Sequence, residues 1–423
     1  MAKNKSTLKL GINEKPEFTK GLLLSFQHIF AMFGATILVP ILIGLPVSVA
    51  LFASGVGTLI YQWTTSKKVP VYLGSSFAYI GAMQIAIKQM GGDISAAQTG
   101  IFLSGLGYVV LAFLISRVGN HWITKLLPPI VIGPMIMVIG LSLSASAIEN
   151  AGFIEGGDWR RIVAAIITFL ITAWVNTYAK GFFKIIPFLI GIIGGYIVSA
   201  MLGLIDYTPI LEASWFSLPE LILPFKTPFF DSFHMYFGSE AFAMLPLILV
   251  TSAEHIGDHT VLGQICGENF IENPGLERTL AGDGIATSVS ALLGGPANTT
   301  YGENTGVIGM TGVGSVFVIR NAALFAIALS FLGKFTALIS TIPTAVLGGI
   351  SILLYGVIAS NGLKVMIEAR TDMGKAKNLI IASAMLVVGL GGAVLDLGVI
   401  TFSNTSLSAI VGICLNLLLS KSE

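Results

Sequence analysis

Charge is scarce in this chain. Only 11% of its 423 residues are Asp, Glu, Lys or Arg, against about 25% in a soluble domain, which excludes an ordinary water-soluble fold. Cysteine is nearly missing: Cys266 lies near a loop and Cys414 in an apolar run, so neither a disulfide framework nor a thiolate metal motif is available. Excess positive charge is missing too, and a net charge of +1 provides no electrostatic footprint for nucleic acid. The opening MAKNKSTLKLGINEKPEFTK has no apolar core or cleavage site and reads as no signal peptide. No long polar segment would fold as a separate soluble domain. The longest loop, 206–238, is itself rich in Phe, Pro and Leu.

What is present is apolar, with 54% hydrophobic residues and a mean hydropathy of +0.86. Runs near 21–44, 47–64, 72–88, 99–116, 128–147, 161–179 and 183–204 follow one another with short breaks. After the long loop come 239–263, 279–295, 297–311, 313–332, 343–360, 376–395 and 404–420. The expectation is therefore an all-α polytopic membrane protein with fourteen spans. Spans three (72–88) and ten (297–311) are too short or too polar to cross as about 20 apolar residues. The segments predicted from this are a cytoplasmic tail (1–20), a first repeat (21–204), an outer loop (205–238) and a second repeat (239–420). With the N-terminus inside, seventeen of the 23 Lys and Arg residues fall on cytoplasmic segments, among them Lys3, Lys5, Lys9, Lys20, Lys184, Lys364 and Lys421. Five fall outside, at Lys88, Arg160, Arg161, Lys226 and Lys334. By that bias both termini are cytoplasmic.

The halves repeat. Ser25-Phe26-Gln27-His28-Ile29 has a counterpart in Ser252-Ala253-Glu254-His255-Ile256, and Ser75-Ser76-Phe77-Ala78 in Thr299-Thr300-Tyr301-Gly302. Pro128 with Gly133-Pro134 is matched by Pro343 with Gly348-Gly349. Seven spans per half is odd, so the second copy is inserted upside down. That is the inverted-repeat plan of secondary transporters, with a midplane site between paired broken helices.

The stretch GGPANTTYGENTGVIGMTG, from Gly294 to Gly312, is polar and broken by Gly and Pro inside apolar surroundings. Non-helical backbone and an ionisable group survive at membrane depth only where protein or a water-filled cavity surrounds them. Glu303 is thus a candidate substrate or ion site, against a structural glutamate capping a neighbouring helix. Glu254 and Asp258 are four apart and share one helix face. Each charge at the bilayer centre costs on the order of 2.5–3.5 kcal/mol, which protonation relieves. A carboxyl that is neutral when occluded and ionised when wet suits a proton-coupled carrier. The alternative is that Asp258, with His259, is a hydrated helix end. His28 and His255 read as packed, hydrogen-bonded residues. Arg320 and Asn321 are expected to pair with Asp283 as structural glue, and Gly194-Gly195 and Gly391-Gly392 to mark close helix packing. The segments Ser75–Ala78 and Thr299–Gly302 look extended, each leading into a half-helix. Helix N-termini offer unpaired N–H donors. Two such ends with Glu254, Glu303 and the flat walls of Phe77 and Tyr301 suit a small planar amide-like ligand such as a nucleobase.

At these residues the chain resembles the nucleobase/ascorbate transporter family. The family signature is an acidic or amide residue, Asn-x-Gly, four residues, then Thr and a Gly or basic residue. It appears as Glu303-Asn304-Thr305-Gly306, Val307 to Met310, Thr311-Gly312, and the family's Gln-His pair as Gln27-His28. The uracil-transporting branch is suggested by SFQHIFAMFGATILVP, YLGSSFAYI, SAEHIGD, NTTYGEN and LLYGVIASNG. The resemblance covers nearly the whole chain. It implies two inverted repeats of seven spans, with a core (spans one to four and eight to eleven) moving against a gate (spans five to seven and twelve to fourteen). It also implies a homodimer in the lipid of the plasma or inner membrane. By motif position, Glu254 and Glu303 would bond the uracil ring, with Ser76 and Tyr301 beside it. The N–H groups of Phe77 and Gly302 would hold its carbonyls, and Tyr355 would approach from the gate. Glu254, Asp258 and Glu303 would handle the coupling proton; no cofactor, metal or enzymatic chemistry is expected. Asp258 departs from the His of the uracil branch and is more like purine-transporting relatives, whereas Glu303 stands where the purine branch carries Gln. Uptake of xanthine or another purine is therefore the alternative substrate reading. A sulfate or bicarbonate carrier on the same architecture is a further one, disfavoured by Glu303. An intramembrane hydrolase using paired acids has no motif in its support.

Overall fold

Short breaks made by glycine and proline divide the chain into helices. The computed structural model describes residues 8–398 and 401–419. Lys3, Lys5 and Lys421, with positions 1–7 of the expected tail and 399, 400 and 420 of the second repeat, lie outside the described residues. Helix α1 (Phe18–Ile43) ends where Gly44 turns left-handed, and Pro46 starts α2 (Val47–Thr64). A three-residue strand β1 (Leu73–Ser75) and one 3-10 turn lead into the half-helix α3 (Ile80–Gln89). Then come α4 (Ser95–Val118), α5 (Pro129–Ser142), α6 (Trp159–Tyr178) and α7 (Pro187–Met201). Pro129 and Pro187 occupy the first turn of their helices, where a missing N–H costs nothing. The second half supplies α8 (Leu247–Cys266), α9 (Leu276–Leu292), β2 (Asn298–Thr300) and the half-helix α10 (Gly302–Thr311). It continues with α11 (Val316–Ser330), α12 (Thr344–Glu368), α13 (Ala376–Leu390) and α14 (Asn404–Leu419).

The chain is a mostly helical, multi-pass membrane protein. Among the described residues, six helices are long and apolar enough to cross a bilayer, and α11 with the bent continuation Gly333–Ser340 makes a seventh candidate. Others fall short of the expected length: α7, α11 and α13 have 15 residues each, about 22 Å at 1.5 Å per residue, so flanking turns must complete any crossing. Two expected spans are interrupted. The run at 239–263 is a short helix (Ser239–Phe242), turns at 243–246 and then α8, which continues to Cys266; that at 128–147 breaks at Leu143.

Helices pack in two sets. In the first, α2 lies on α9 and α11, α4 on α9 and α1 on α11, with α3, α8 and α10 against them. In the second, α5 lies on α12, α6 on α7 and α12, and α13 on α14 and α5. Contacts recur in pairs: α2–α11 with α4–α9, α6–α7 with α13–α14, α1–α7 with α8–α14. Strands β1 and β2 pair antiparallel with Gly74 opposite Thr299 at the centre. Loop contacts sort the ends onto two faces. At one, Lys68 Nζ donates to Asn273 Oδ1 at 2.7 Å and Arg278 to Ser66 Oγ at 2.9 Å. At the other, Lys334 Nζ donates to the Ile210 carbonyl at 2.6 Å and Arg161 to Thr344 Oγ1 at 3.0 Å.

Two expectations fail on packing. Gly391-Gly392 forms the turn that closes α13 and no helix seam, with Gly392 facing open space. Asp283 does not pair with Arg320 and Asn321: its carboxylate is taken by His255 and Thr300, and the Arg320 guanidinium lies 5.0 Å from the Phe317 ring. Gly194-Gly195 does pack closely, a Cβ on Gly195 having no room beside Thr168 Oγ1 of α6. A second close seam lies between α4 and α9, where a Cβ on Gly284 would stand 2.6 Å from the Gly105 carbonyl and 2.6 Å from Tyr108 Cβ. Gly284→Val should therefore lower stability by about 1–3 kcal/mol, read as a lower thermal-unfolding midpoint in detergent. Gly81→Ala, at a helical position with nothing within 4 Å, should leave the midpoint unchanged or raise it. Equal midpoints for the two variants would contradict the seam.

Candidate functional site

Strands β1 and β2 cross in the interior, where their backbone must be satisfied by protein. Beyond the ladder, Ser76 N donates to the Ala297 carbonyl at 2.9 Å and Tyr301 N to the Tyr72 carbonyl at 3.1 Å. Leu73 N donates to Thr58 Oγ1 at 2.9 Å, and Thr300 N to Asp283 Oδ2 at 3.2 Å. Asn298 Nδ2 donates to the Ala53 carbonyl at 2.7 Å, and Thr287 Oγ1 donates to the Asn298 carbonyl at 2.7 Å. Every one of these bonds joins β1 and β2 to a helix or to each other, so the crossing is rigidly framed. From it two helical segments leave, one beginning at Phe77 and the other at Gly302. The N–H groups at such starts have no acceptor within the helix.

A cavity of about 400 Å³ opens at the crossing. Ser76, Phe77, Glu254, Asp258, Tyr301, Gly302 and Glu303 all line it, so the acids on α8 and α10 that the sequence singles out meet in one space. Tyr355 is not among the lining residues; it is 3% exposed, and its ring stands edge-on to Phe77 with centroids 6.0 Å apart. The cavity runs along α8 and α12 to a mouth bordered by Lys364 and Glu368, an exposed pair at 3.6 Å. On the far side of Phe77 lies a separate hollow of about 350 Å³, lined also by Gln84, Lys88, Ser146 and Asn404. The Phe77–Tyr355 contact is thus part of the partition between the two.

Asp258 is no hydrated helix end, because α8 continues two turns past it to Cys266 and His259 beside it is fully buried. Its Oδ2 is buried with no hydrogen-bond partner among the described residues, and its Oδ1 lies 3.1 Å from where a Cβ on Gly302 would sit. The carboxyl therefore faces the first turn of α10, the positive end of that helix dipole. Glu303 lies in the same first turn. Tyr301 OH donates to the Ser75 carbonyl at 2.9 Å and accepts from Thr36 at 3.2 Å, which fixes one wall. Asn304 lies behind the cavity, donating to His28 Nδ1 and to the His28 carbonyl, each at 3.2 Å. Gln27 faces away from this cavity, toward a pocket at the α1 N-terminal end.

A polar group that the sequence reading did not assemble sits one layer deeper. Asp283, fully buried, takes hydrogen bonds from His255 Nδ1 at 2.9 Å and Thr300 Oγ1 at 3.1 Å. The His255 ring stacks on His259 at 3.9 Å. His259 Nδ1 donates to the His255 carbonyl at 2.8 Å, leaving Nε2 to accept from the Tyr61 hydroxyl. The acid in the ninth expected span was the available signal, but nothing in the spacing joins it to α8 or α2. Among the described residues, no group of His, Cys, Asp and Glu has metal-holding geometry.

Comparison with known proteins places this geometry. A family described as "Permease family" matches residues 19–398. The chain is 47% identical to the uracil permease of Bacillus caldolyticus, over 97% of this chain and 94% of that protein. It is 44% identical to the uracil permease of Bacillus subtilis (strain 168), over 99% and 97%. It is 40% identical to that of Escherichia coli (strain K12), over 97% and 93%. In fold it is similar to the transmembrane domain of a cyanobacterium bicarbonate transporter, BicA. That match has a TM-score of 0.64 at 16% identity, covering 96% of this chain and all of that one. Murine Slc26a9, an anion transporter in the inward-facing state, matches with a TM-score of 0.71 at 12% identity over 96% of this chain and 69% of that one.

The buried Asp283–His255 pair holds β2 against α8. Replacing His255 with Phe strands a carboxylate with one partner fewer, and loss of one member of a buried pair costs about 3–5 kcal/mol. His255→Phe should lower the unfolding midpoint in detergent well beyond the Gly284 change, and an unchanged midpoint would show that the pair does not hold the crossing.

Proposed function

The chain belongs to the permease family that includes the uracil permeases, and on that premise we propose that it imports uracil by proton symport. The single observation that carries this is the cavity in which Glu254, Asp258 and Glu303 meet the N-terminal ends of two half-helices. Uracil has two N–H donors and two carbonyl acceptors on the rim of a flat ring. Glu254 and Glu303 accept from its N–H groups, and the backbone N–H groups of Phe77 and Gly302 donate to its carbonyls. Ser76 and Tyr301 bound the ring, and Tyr355 backs Phe77 from the second helix set, to approach the ring only as the two sets move. Three carboxyls suit such a donor and repel an anion, which sets the ligand apart from bicarbonate despite the shared fold. Glu303 likewise favours uracil over a purine.

In this reading the fourteen segments form two inverted repeats, 21–204 and 239–420, related through the β1–β2 crossing and joined by the loop at 205–238. The paired helix contacts support that relation. The first helix set is the core and the second the gate; they move past each other to expose the site to either side of the cell membrane. Both termini face the cytoplasm, as the Lys and Arg bias predicts, and two copies form a homodimer. The cavity's mouth at Lys364 and Glu368 is then cytoplasmic, and the Phe77–Tyr355 partition closes the outer side.

Glu303→Gln keeps the shape of the site but can turn an NH2 toward a uracil donor. Losing a charge-assisted bond weakens binding by about tenfold to a hundredfold. Equilibrium binding to purified, folded protein measures it, and parental affinity would remove Glu303 from the site. Asp258 lines the same cavity as the binding acids, its Oδ2 without a hydrogen-bond partner among the described residues, and is the residue assigned to share the coupled proton with Glu254 and Glu303. Each proton moved inward gains about 2.3 kcal/mol per 100 mV, about fiftyfold accumulation at equilibrium. Asp258→Asn should keep uracil binding and counterflow exchange but lose accumulation driven by a proton gradient in vesicles. Normal accumulation by this variant would leave the proton to Glu254 or Glu303.

A further inference from the structure

Another hollow lies away from the carboxyl cavity. A pocket of about 530 Å³ at the N-terminal end of α1 is lined by Lys9, Lys20 and Lys184, with Gln27, Leu24 and Met310 beside them. The three lysines come from three separate stretches. Lys9 is held in place by its own backbone, whose N–H donates to the Gly312 carbonyl at 2.7 Å. Lys20 lies in the first turn of α1, and Lys184 in the 3-10 turn 181–185 ahead of α7. None of them takes part in an ion pair among the described residues, and no carboxylate is among the pocket's described lining residues.

A bias of lysines toward one membrane face needs only that they lie on that face. It does not require three of them to converge on one concavity. Their mutual repulsion is relieved by a ligand with at least one full negative charge and several acceptor oxygens. The surroundings add a second requirement. Leu23, Phe26 and Phe183 are chain neighbours of the lining residues Leu24, Gln27 and Lys184 and are 67%, 40% and 60% exposed, apolar surface for hydrocarbon on the segments that form the basic hollow. Basic pockets between membrane helices on the cytoplasmic side are of the kind that seats acidic lipid headgroups.

We propose that this pocket binds a phosphate-bearing anion, presented in the membrane by the headgroup of an acidic phospholipid whose chains lie along Leu23, Phe26 and Phe183. Lys9 and Lys20 belong to the first helix set and Lys184 precedes α7 of the second, so the bound phosphate bridges the two sets at their cytoplasmic edge. The site is separate from the carboxyl cavity and does not depend on what that cavity carries.

The test uses full-length protein in vesicles of phosphatidylcholine, with and without phosphatidylglycerol, compared with the variant carrying Lys9→Gln, Lys20→Gln and Lys184→Gln. The parent should retain phosphatidylglycerol over phosphatidylcholine on extraction, read by native mass spectrometry. Each single lysine change should lower that retention about fivefold, and the triple change should abolish the preference. The triple Lys→Arg variant should keep it, which separates loss of charge from loss of fold should the glutamine variant not fold. Inorganic phosphate added to the phosphatidylcholine sample distinguishes the source. If it raises the parent's thermal midpoint, and not the glutamine variant's, where phosphatidylglycerol is not retained, the pocket stands as a site for free phosphate. Phosphatidylglycerol retained equally by parent and glutamine variants, or neither phosphate source acting on the parent, would overturn the proposal.

Discussion

The structure depends on a constraint that the bilayer imposes on backbone: a peptide group away from water must find its partner within the protein. Strands β1 and β2 break helical structure in the interior and meet that constraint by pairing with each other, Gly74 opposite Thr299. Their remaining groups go to Thr58, Ala297, Tyr72 and Asp283. Because the strands are antiparallel, the helical segments that follow leave the crossing in opposite directions. Their unpaired N–H groups are brought to one small space as a result. The polar character of that space is thus a consequence of how the backbone is satisfied, before any side chain is considered.

Four buried or half-buried acids surround the crossing, and their hydrogen bonds divide them. Asp283 has its oxygens occupied by His255 and Thr300 and is not among the residues that line the carboxyl cavity, which is the condition of a structural acid. Glu254, Asp258 and Glu303 open on the cavity, and Asp258 Oδ2 has no partner among the described residues. An unpartnered carboxyl oxygen in the interior costs free energy, and that cost is accepted where a ligand or a proton is to be met. The cavity lies between a first helix set that carries all three acids and a second that supplies Leu354, Ile358 and Lys364 of α12. At the crossing the acids are on one side and the apolar Leu354 and Ile358 on the other, while Asn361, Lys364 and Glu368 of α12 make the mouth polar.

The stretch from Gly294 to Gly312 was readable as the centre because polar residues with Gly and Pro contradict their apolar surroundings. Glu254 and Asp258 were readable because helical spacing puts them on one face. The repeat is visible in three short matches, and the observed pairing centre adjoins the second of them, with Thr299 inside the match and Gly74 one residue ahead of it. Partnerships across helices were not readable. Asp283 and His255 are 28 residues apart, and Tyr61 and His259 are 198 apart, so neither periodicity nor spacing carries the information. Arg320 and Asp283 invite pairing because both are charges at span depth, yet burial depth does not say which face a side chain is on. Gly391-Gly392 reads as a packing seam because a small-residue pair looks the same in a helix and in the turn that ends one. Three-dimensional contact settles those cases, and composition does not.

Uptake of radiolabelled uracil into proteoliposomes with an imposed inward proton gradient tests the central claim most directly. The account predicts accumulation above the outside concentration, collapse of that accumulation by a protonophore, and competition by unlabelled uracil but not by xanthine. Uptake that is indifferent to the protonophore, or that xanthine blocks as well as uracil does, would contradict it.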